Sequence, residues 1–271
     1  MTGTVVGPVS ARPPGPGMMA GMTGRAVLVT GASRGIGRAV ALAFAAGGDR
    51  VAVHHRASPE LAERVAAELP GDGHTVVQAD LADPAAVQAA VDGAAEALGG
   101  LDVLVNNAGV FLHHPIFDTS YDDWQRLWRQ TLETNLLGPA YACWCAARHL
   151  RERGGGRIVN VSSRGAFRGE PDATAYGASK AGLNALGQSL AVALAPYGIA
   201  VATVAPGFVE TDMAASRLAG EAGDAIRAQS PFGRVARPEE VAAAVHFLAS
   251  PQAQWASGTV LDLNGASYLR S

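Results

Sequence analysis

One stretch decides the fold of this 271-residue chain, RAVLVTGASRGIG at positions 25–37. Its apolar first half predicts a buried strand, and its second half is a glycine-rich turn that leads into a helix from about Gly35 to Ala46. Glycine lets a backbone turn sharply and approach a pyrophosphate closely, while the start of a helix offers N–H donors. The G-x-x-x-G-x-G spacing alone indicates only a tight turn, but its position between strand and helix predicts a dinucleotide-binding site.

Short apolar strands and longer helices alternate through the rest of the chain. Further strands are predicted at 51–55, 75–78, 103–105, 158–161, 199–204 and 260–263. Helices are predicted from about 59, from 84 to about 98, over most of 124–150, and at 175–195 and 238–248. Strands connected through such helices run parallel. The pattern predicts an α/β fold over residues 24–271, a single-domain doubly wound (Rossmann) parallel sheet of seven strands with helices on both faces. Residues 1–23 are predicted to be a flexible Gly/Pro-rich tail.

Composition and charge argue against several classes of protein. The 21 Lys+Arg against 24 Asp+Glu leave a net charge of −3, so no nucleic-acid partner is expected. No apolar run reaches the roughly 18 residues of a membrane-spanning helix, and residues 1–22 lack the apolar core of a secretory signal. Cys143 and Cys145 have neither metal nor redox spacing. We expect a cytoplasmic protein with no membrane partner and no metal.

Tyr176 and Lys180 form the most specific pair in the sequence. Lys180 is the only lysine of the chain, which otherwise uses arginine. Residues four apart on a helix share a face, so the phenol and the ammonium are expected side by side rather than as a chance pair on a solvated surface. A positive neighbour lowers the pKa of a phenol from its free value of about 10. The pair therefore predicts an acid/base group.

Two predicted strands end in polar residues at the sheet edge where doubly wound folds bind ligands. These ends are NNAG at 106–109 and NVSS at 160–163, the second of which includes Ser163. Asn135 lies within a predicted helix, where asparagine is not favoured. Each could be an ordinary polar residue, but together with Tyr176 and Lys180 they indicate a site.

In combination, these motifs resemble the short-chain dehydrogenase/reductase superfamily, and among its subgroups the 3-oxoacyl-(acyl carrier protein) reductase-like proteins. The resemblance covers about Gly24 to Ala266 and also includes Pro206, Gly207 and Thr211. It implies an oxidoreductase that transfers hydride between a nicotinamide and a carbonyl or secondary alcohol, most simply an NADPH-dependent ketoreductase.

The resemblance also implies a role for each site residue. Tyr176 would donate a proton to the substrate carbonyl, and Ser163 would hold the carbonyl oxygen. Lys180 would bind the nicotinamide ribose and lower the pKa of the tyrosine, while Asn135 would anchor a water that leads from Lys180 to solvent. The implied cofactor-binding residues are Gly31, Ser33, Arg34, Gly35, Ile36, Gly37, Arg56, Asp80, Leu81, Asn107, Ala108, Gly109, Tyr176, Lys180, Pro206, Gly207, Val209 and Thr211.

The end of the second strand predicts which nicotinamide cofactor is used. NAD enzymes of this fold place an acidic residue there, whereas this strand ends in HHR at 54–56. Arg56 and Arg34 could clamp a 2′-phosphate between them, although both could also be ordinary surface charges. We expect NADP(H) rather than NAD(H).

The substrate is predicted only as a small carbonyl or alcohol. It could be carrier-bound, because Arg151, Arg153 and Arg157 lie near a position that is basic in the carrier-protein reductases. Arg164 and Arg168 are candidates for binding an anionic or polar substrate, although both could equally be solvated. His113 and His114 could reach the substrate, but such a pair is more often loop surface. Candidates for lining the pocket are Phe111, Phe167, Phe208 and Met213.

Two other functions stay open from the sequence. One is a non-catalytic dinucleotide sensor on the same fold, and the other is an alcohol dehydrogenase working in the oxidative direction. The resemblance also implies a homotetramer, or a dimer, assembled through the helices at 132–150 and 175–195 and the C-terminal strand region.

Overall fold

A parallel sheet of seven strands organises the computed structural model, which describes residues 24–270; the predicted tail at 1–23 lies outside the described residues. The strands are β1 Ala26–Val29, β2 Arg50–His55, β3 Thr75–Gln78, β4 Val103–Asn106, β5 Gly156–Val161, β6 Ile199–Pro206 and β7 Val260–Leu263. Their order in the sheet is β3-β2-β1-β4-β5-β6-β7. The predicted fold class is confirmed, and every predicted strand is present.

Helices connect the strands on both faces of the sheet. They are α1 Gly35–Ala46, α2 Pro59–Glu68, α3 Pro84–Leu98, α4 Tyr121–Leu132, α5 Gly138–Glu152, α6 Gly165–Arg168, α7 Thr174–Leu194, α8 Gly220–Arg227 and α9 Pro238–Leu248. Short 3-10 turns span Ala195–Tyr197 and Pro251–Ala256. Within residues 24–270 no helix combines the length and apolar character needed to cross a bilayer.

A π-helical turn and the helices α6 and α8 correct the sequence prediction, which included none of them. The long helix expected over 124–150 is interrupted by a π-helical turn, Glu133–Leu137, between α4 and α5. The helix α8 was not expected, since its sequence GEAGDAIR contains two glycines, which disfavour helices. Helix α3 shows why other boundaries were predictable: Pro84 occupies its first turn, the Asp83 side chain accepts from two backbone N–H groups, and Gly99 ends it in the left-handed region.

The buried core has two parts, one on each face of the sheet. Apolar side chains of α1, α2 and α9 pack on one face, and those of α3, α5 and α7 pack on the other. The sheet order reverses between β1 and β4, because β1 continues toward β2 whereas β4 continues toward β5. In doubly wound folds a crevice opens at the carboxyl ends of the strands at that point. The motifs at 30–37, 106–109 and 160–163 lie at the carboxyl ends of β1, β4 and β5.

Candidate active site

Two adjoining cavities occupy the carboxyl edge of the sheet. The first, the glycine-turn cavity, has a volume of about 290 Å³ and reaches from the turn after β1 to Lys180. The second, the phenylalanine cavity, has a volume of about 130 Å³ and is named after Phe111 and Phe208 in its walls. Tyr176 lines both cavities, so its phenol stands where they meet.

The glycine turn is shaped by close backbone approaches. Gly31 and Gly35 have φ values of +63° and +55°, a region that L side chains rarely adopt. A Cβ on Gly37 would lie 2.2 Å from the carbonyl oxygen of Gly31, so no larger residue fits there. The turn is therefore wound tightly enough to present the first N–H groups of α1 to the cavity.

His54 supports this turn, a role that the sequence did not indicate. The Gly31 N–H donates to His54 Nδ1 at 3.0 Å, and His54 Nε2 donates to the Ala79 carbonyl at 3.2 Å. Burial is the largest cause that lowers the pKa of His54, to about 4. The ring is thus neutral at physiological pH and keeps the acceptor that Gly31 requires.

The end of β4 is tied to the same turn. Thr30 Oγ1 accepts from the backbone N–H groups of Asn107 and Ala108, at 2.9 and 3.0 Å. Asn107 Nδ2 donates to the carbonyls of Thr30 and Gly31, at 2.9 and 3.1 Å. The two strand ends on either side of the switch point therefore form one connected wall.

Tyr176 and Lys180 lie one turn apart on α7, as their spacing predicts. Lys180 is buried; its Nζ donates to the Val161 carbonyl at 2.9 Å and lies 5.8 Å from the centre of the Tyr176 ring. Burial lowers the pKa of Lys180 to about 8. The ammonium is held between β5 and α7, at the inner end of the glycine-turn cavity.

The pKa of Tyr176 corrects the sequence prediction. Burial raises it above its ordinary value, while hydrogen bonding to the Ser163 side chain works in the opposite direction. The predicted lowering by Lys180 is wrong for this structure, because desolvation outweighs the other effects and the lysine donor is directed at Val161. A phenol with a raised pKa holds its proton at neutral pH.

Asn135 lies fully buried inside the π-helical turn, a type of turn that is frequent at functional sites. Its Oδ1 accepts from the Val110 N–H at 2.8 Å, and its Nδ2 donates to the Val110 carbonyl at 2.9 Å and to Ser179 Oγ at 3.2 Å. The amide thereby joins the segment after β4 to the helix that carries Tyr176. Its predicted role as a water anchor stays a prediction.

His114 is a second supporting residue. It is buried, and Nδ1 donates to the Leu112 carbonyl at 2.7 Å while Nε2 accepts from the Ala175 N–H at 3.2 Å. His114 thus satisfies a donor in the first turn of α7, one residue before Tyr176. The alternative that both histidines of the pair are loop surface is wrong for His114, whereas His113 is exposed.

Nearly all predicted site residues meet at these cavities. The predicted residues that line the glycine-turn cavity are Gly31, Ser33, Arg34, Gly35, Ile36, Gly37, Arg56, Asp80, Leu81, Asn107, Ala108, Gly109, Tyr176, Lys180 and Thr211. Those that line the phenylalanine cavity are Ile36, Ser163, Tyr176, Pro206, Gly207, Val209 and Thr211. Asn135 lines neither and acts through its contacts.

The candidates for substrate contact divide into two groups. The phenylalanine cavity is lined by Phe111, Phe208 and Met213. Phe167 does not line it; the guanidinium carbon of Arg270 lies 4.3 Å from the centre of the Phe167 ring. Arg164 is buried in the wall, where it donates to Gln229 Oε1 and Ser267 Oγ. Arg168 is exposed, bonds to the same glutamine and lines neither cavity.

The cationic residues considered for a carrier protein are also engaged elsewhere. Arg157 is buried and donates to the carbonyls of Gly156 and Ser250. Arg153 forms an ion pair with Asp102 at 2.6 Å. Arg151 stacks on the Tyr197 ring at 4.9 Å. Arg153 and Arg157 therefore do not present free charges, which corrects their interpretation as a substitute docking patch.

The glycine-turn cavity suits a nicotinamide dinucleotide. Its floor is the turn in which a Cβ on Gly37 would collide with backbone, and the glycines of the turn leave room for a pyrophosphate to approach the backbone N–H groups. Arg34 and Arg56 are exposed at its rim, and β2 ends without an acidic residue. Among residues 24–270, no cluster of three or more His, Cys, Asp or Glu side chains could hold a metal ion.

Known proteins are similar to this chain in sequence and in architecture. Residues 31–265 match the family model described as enoyl-(acyl carrier protein) reductase. The chain is 39% identical over 251 residues to D-threitol dehydrogenase of Mycolicibacterium smegmatis, covering 92% of this chain and 95% of that protein. It is 36% identical over 248 residues to 3-oxoacyl-[acyl-carrier-protein] reductase of Vibrio cholerae, covering 92% and 99%. A solved short-chain dehydrogenase from Burkholderia cenocepacia in complex with NADP matches with a TM-score of 0.82 and 41% identity, covering 90% and 98%.

Proposed function

Because this chain belongs to the short-chain dehydrogenase/reductase superfamily and is an oxidoreductase, we propose that it is an NADP(H)-dependent ketoreductase for small carbonyl compounds. The observation that carries the proposal is the position of Tyr176 at the junction of two cavities. One cavity suits a dinucleotide, and the other is large enough for a small substrate. A proton donor between them can reach a carbonyl that faces the nicotinamide.

The catalytic work of the chain itself is proton transfer and positioning. The cofactor, when bound, supplies the hydride for reduction or accepts it in oxidation. Tyr176 holds its proton on Oη at neutral pH and passes it to the carbonyl oxygen, which becomes the hydroxyl of the alcohol. Ser163 lines the same cavity and holds that oxygen. Lys180 would bind the nicotinamide ribose from the glycine-turn cavity, which it lines, and Asn135 and His114 keep α7 in place.

The residues at the rim of the glycine-turn cavity support NADP(H) over NAD(H). Arg34 and Arg56 come from the glycine turn and from the end of β2, and both line the cavity. Two guanidinium groups can bind a 2′-phosphate through several charge-assisted hydrogen bonds. The NADP in the Burkholderia cenocepacia structure agrees with this choice.

A free small molecule is a better substrate candidate than a carrier-bound thioester. The phenylalanine cavity is small, and Arg153 and Arg157 are occupied within the fold. The relatives carry names as different as D-threitol dehydrogenase and 3-oxoacyl-[acyl-carrier-protein] reductase, so they leave the substrate and the physiological direction open.

The homotetramer, or dimer, and the cytoplasmic location remain predictions. Large apolar side chains on the α4–α5 region, namely Tyr121, Leu137 and Trp144, are 74%, 40% and 56% exposed, which supports assembly through these helices. Size-exclusion chromatography with light scattering measures the assembly directly.

The first test follows NADPH oxidation over a panel of small ketones with wild-type enzyme and Tyr176→Phe. Loss of the phenolic proton should lower kcat about 10²- to 10⁴-fold while NADPH binding is kept. Tyr197→Phe, which changes a tyrosine outside both cavities, should behave like wild type. NADPH binding without turnover on any ketone or alcohol would instead indicate a dinucleotide sensor.

The second test concerns the cofactor. Arg56→Gln should raise KM for NADPH roughly tenfold, because a charge-assisted contact to phosphate is lost, and should leave KM for NADH nearly unchanged. Arg64→Gln is a matched control, since Arg64 is an exposed arginine of α2 that does not line the cavity. A wild-type enzyme that prefers NADH would contradict the assignment.

A further inference from the structure

The phenylalanine cavity contains an arginine to which neither motif nor mechanism gives a role. Arg217 lies in the segment between β6 and α8, and its guanidinium carbon is 4.6 Å from the centre of the Phe111 ring and 4.7 Å from that of Phe208. Stacking of a guanidinium on aromatic rings fixes its plane while leaving its N–H edge available. The two rings therefore hold the side chain in one orientation at the cavity wall.

The N–H donors of Arg217 are not consumed by the fold. Within residues 24–270 its side chain donates no hydrogen bond, and the only carboxylate within 4.0 Å is that of Glu170, whose Oε2 lies 3.7 Å from Nη2. That separation exceeds the length of a charge-assisted hydrogen bond, which is about 2.7–2.9 Å. A planar, charged group with open donors in a substrate-sized cavity is suited to bind a carboxylate through two parallel bonds.

Glu170 is positioned close by rather than bonded firmly. Its Oε1 would lie 2.7 Å from a Cβ on Gly165, so the glycine at the start of α6 is what lets this carboxylate pack here. Only 16% of the Glu170 side chain is exposed, against 40% for Arg217. Glu170 can thus orient the arginine and still leave part of the guanidinium accessible.

We propose that Arg217 binds a carboxylate of the substrate, so that the enzyme acts on short oxo acids or the corresponding hydroxy acids. This inference rests on the proposed ketoreductase function and adds the substrate class. Phe111 separates the two groups, because its ring is 4.9 Å from the Tyr176 ring and 4.6 Å from the arginine. The reacting carbonyl at Tyr176 and the carboxylate at Arg217 would therefore be a few carbons apart.

The charge around the cavity favours an anion. Two arginines, Arg164 and Arg217, line the cavity, against the single carboxylate of Glu170. Arg168 is close enough that its charge contributes to lowering the pKa of Arg164. Glu170 and Arg217 also act on the Tyr176 phenol: Glu170 raises its pKa and Arg217 lowers it.

Kinetics with matched acid and ester pairs test the proposal. Pyruvate, acetoacetate and levulinate place the carboxylate at increasing distances from the ketone, and the methyl ester of each removes its charge. Wild type should favour at least one acid over its ester, and Arg217→Gln should lower kcat/KM for that acid about 10- to 100-fold, mainly through KM, with less than threefold change for the ester. Arg217→Lys should recover only part of the loss, because an ammonium lacks the planar fork.

A matched charge control separates contact from long-range attraction. Arg168→Gln removes the same charge near the cavity, from a residue that does not line it, and should change the acid preference less than threefold. Equal losses in the two variants would overturn the proposal. So would a wild-type preference for every ester, or for neutral polyhydroxy ketones, which would point to Glu170 as a hydroxyl acceptor instead.

Binding without turnover distinguishes failure of this inference from failure of the proposed function. With NADP⁺ present an oxo acid cannot be reduced, so calorimetry can measure its affinity directly. At least one of the three acids should bind about tenfold or more tightly to wild type than to Arg217→Gln. Such binding without any reduction by NADPH would refute the ketoreductase function and support the carboxylate site. Reduction of ketones, with acid binding that does not depend on Arg217, would support the ketoreductase function and refute the carboxylate site.

Discussion

The two cavities that meet at Tyr176 are built in different ways. The glycine-turn cavity has a floor of backbone, formed by consecutive residues after β1 and by the ends of β2, β3 and β4. The phenylalanine cavity is walled by side chains, such as Phe111, Glu170 and Arg217, from segments far apart in the chain. Backbone geometry binds what every dinucleotide shares, whereas side-chain walls can change one residue at a time. The comparison locates cofactor binding in the first cavity and substrate choice in the second.

Breaking the backbone floor should have the largest effect. In Gly37→Ala the new methyl group would lie 2.2 Å from the Gly31 carbonyl oxygen, so the turn must open. Relief of such overpacking typically costs about 1–3 kcal/mol, and we expect NADPH affinity to fall about 10- to 100-fold. Calorimetric titration with NADPH measures the affinity. Gly93→Ala in α3, where a Cβ meets nothing within 4 Å, should bind NADPH like wild type. Unchanged binding by Gly37→Ala would show that the turn is not the phosphate site.

The next largest effect is expected in the pH dependence of kcat/KM, through the titration of Lys180. Burial lowers its pKa to about 8, so the ammonium is charged below that pH and neutral above it. We expect kcat/KM for NADPH to be constant near neutrality and to fall, at most tenfold per pH unit, as pH rises through about 8. Lys180→Arg stays charged, so it should show no inflection near pH 8 even if its rate is lower. The same inflection in both enzymes would assign it to another group.

The smallest effect is expected from a change in the wall of the phenylalanine cavity, which should affect the substrate and not the cofactor. Phe111→Leu removes the edge contact with the Tyr176 ring and one of the two rings that hold Arg217. An aromatic pair contributes about 0.5–1.5 kcal/mol, so kcat/KM for the ketone should fall about 2- to 10-fold. NADPH affinity should not change, because Phe111 does not line the glycine-turn cavity. Phe117→Leu, at a side chain that is 96% exposed, is the control. An equal loss of NADPH affinity would mean that the cavities are not separable.

Local sequence rules predicted most of the scaffold. The alternation of apolar runs and helices gave the seven strands, with boundaries within two residues of those observed. Proline, glycine and an acidic cap marked the ends of helices such as α3. The π-helical turn at Glu133–Leu137 and helix α8 were missed, because both depend on packing against the rest of the chain rather than on local preference.

The site residues also divide into those that local sequence patterns predicted and those that depend on the folded chain. Residues in short motifs, such as Gly37, Ser163 and Lys180, were found because their spacing alone brings them to one edge of a parallel sheet. Arg217 was missed and Arg164 was preferred, because the sequence does not reveal which arginine has its donors occupied by the fold. The supporting roles of His54 and His114 were missed for a similar reason, since each accepts a hydrogen bond from a distant backbone N–H.

The sequence by itself determined the sheet, the glycine turn and the pairing of a tyrosine with the only lysine of the chain. These features follow from interactions between residues close in sequence, whose geometry is set by the periods of strands and helices. Only the tertiary structure decided that burial raises the pKa of Tyr176, and that Arg217 stands with open donors between two phenyl rings. Both depend on desolvation and on contacts between distant segments, and these come into existence only when the chain has folded.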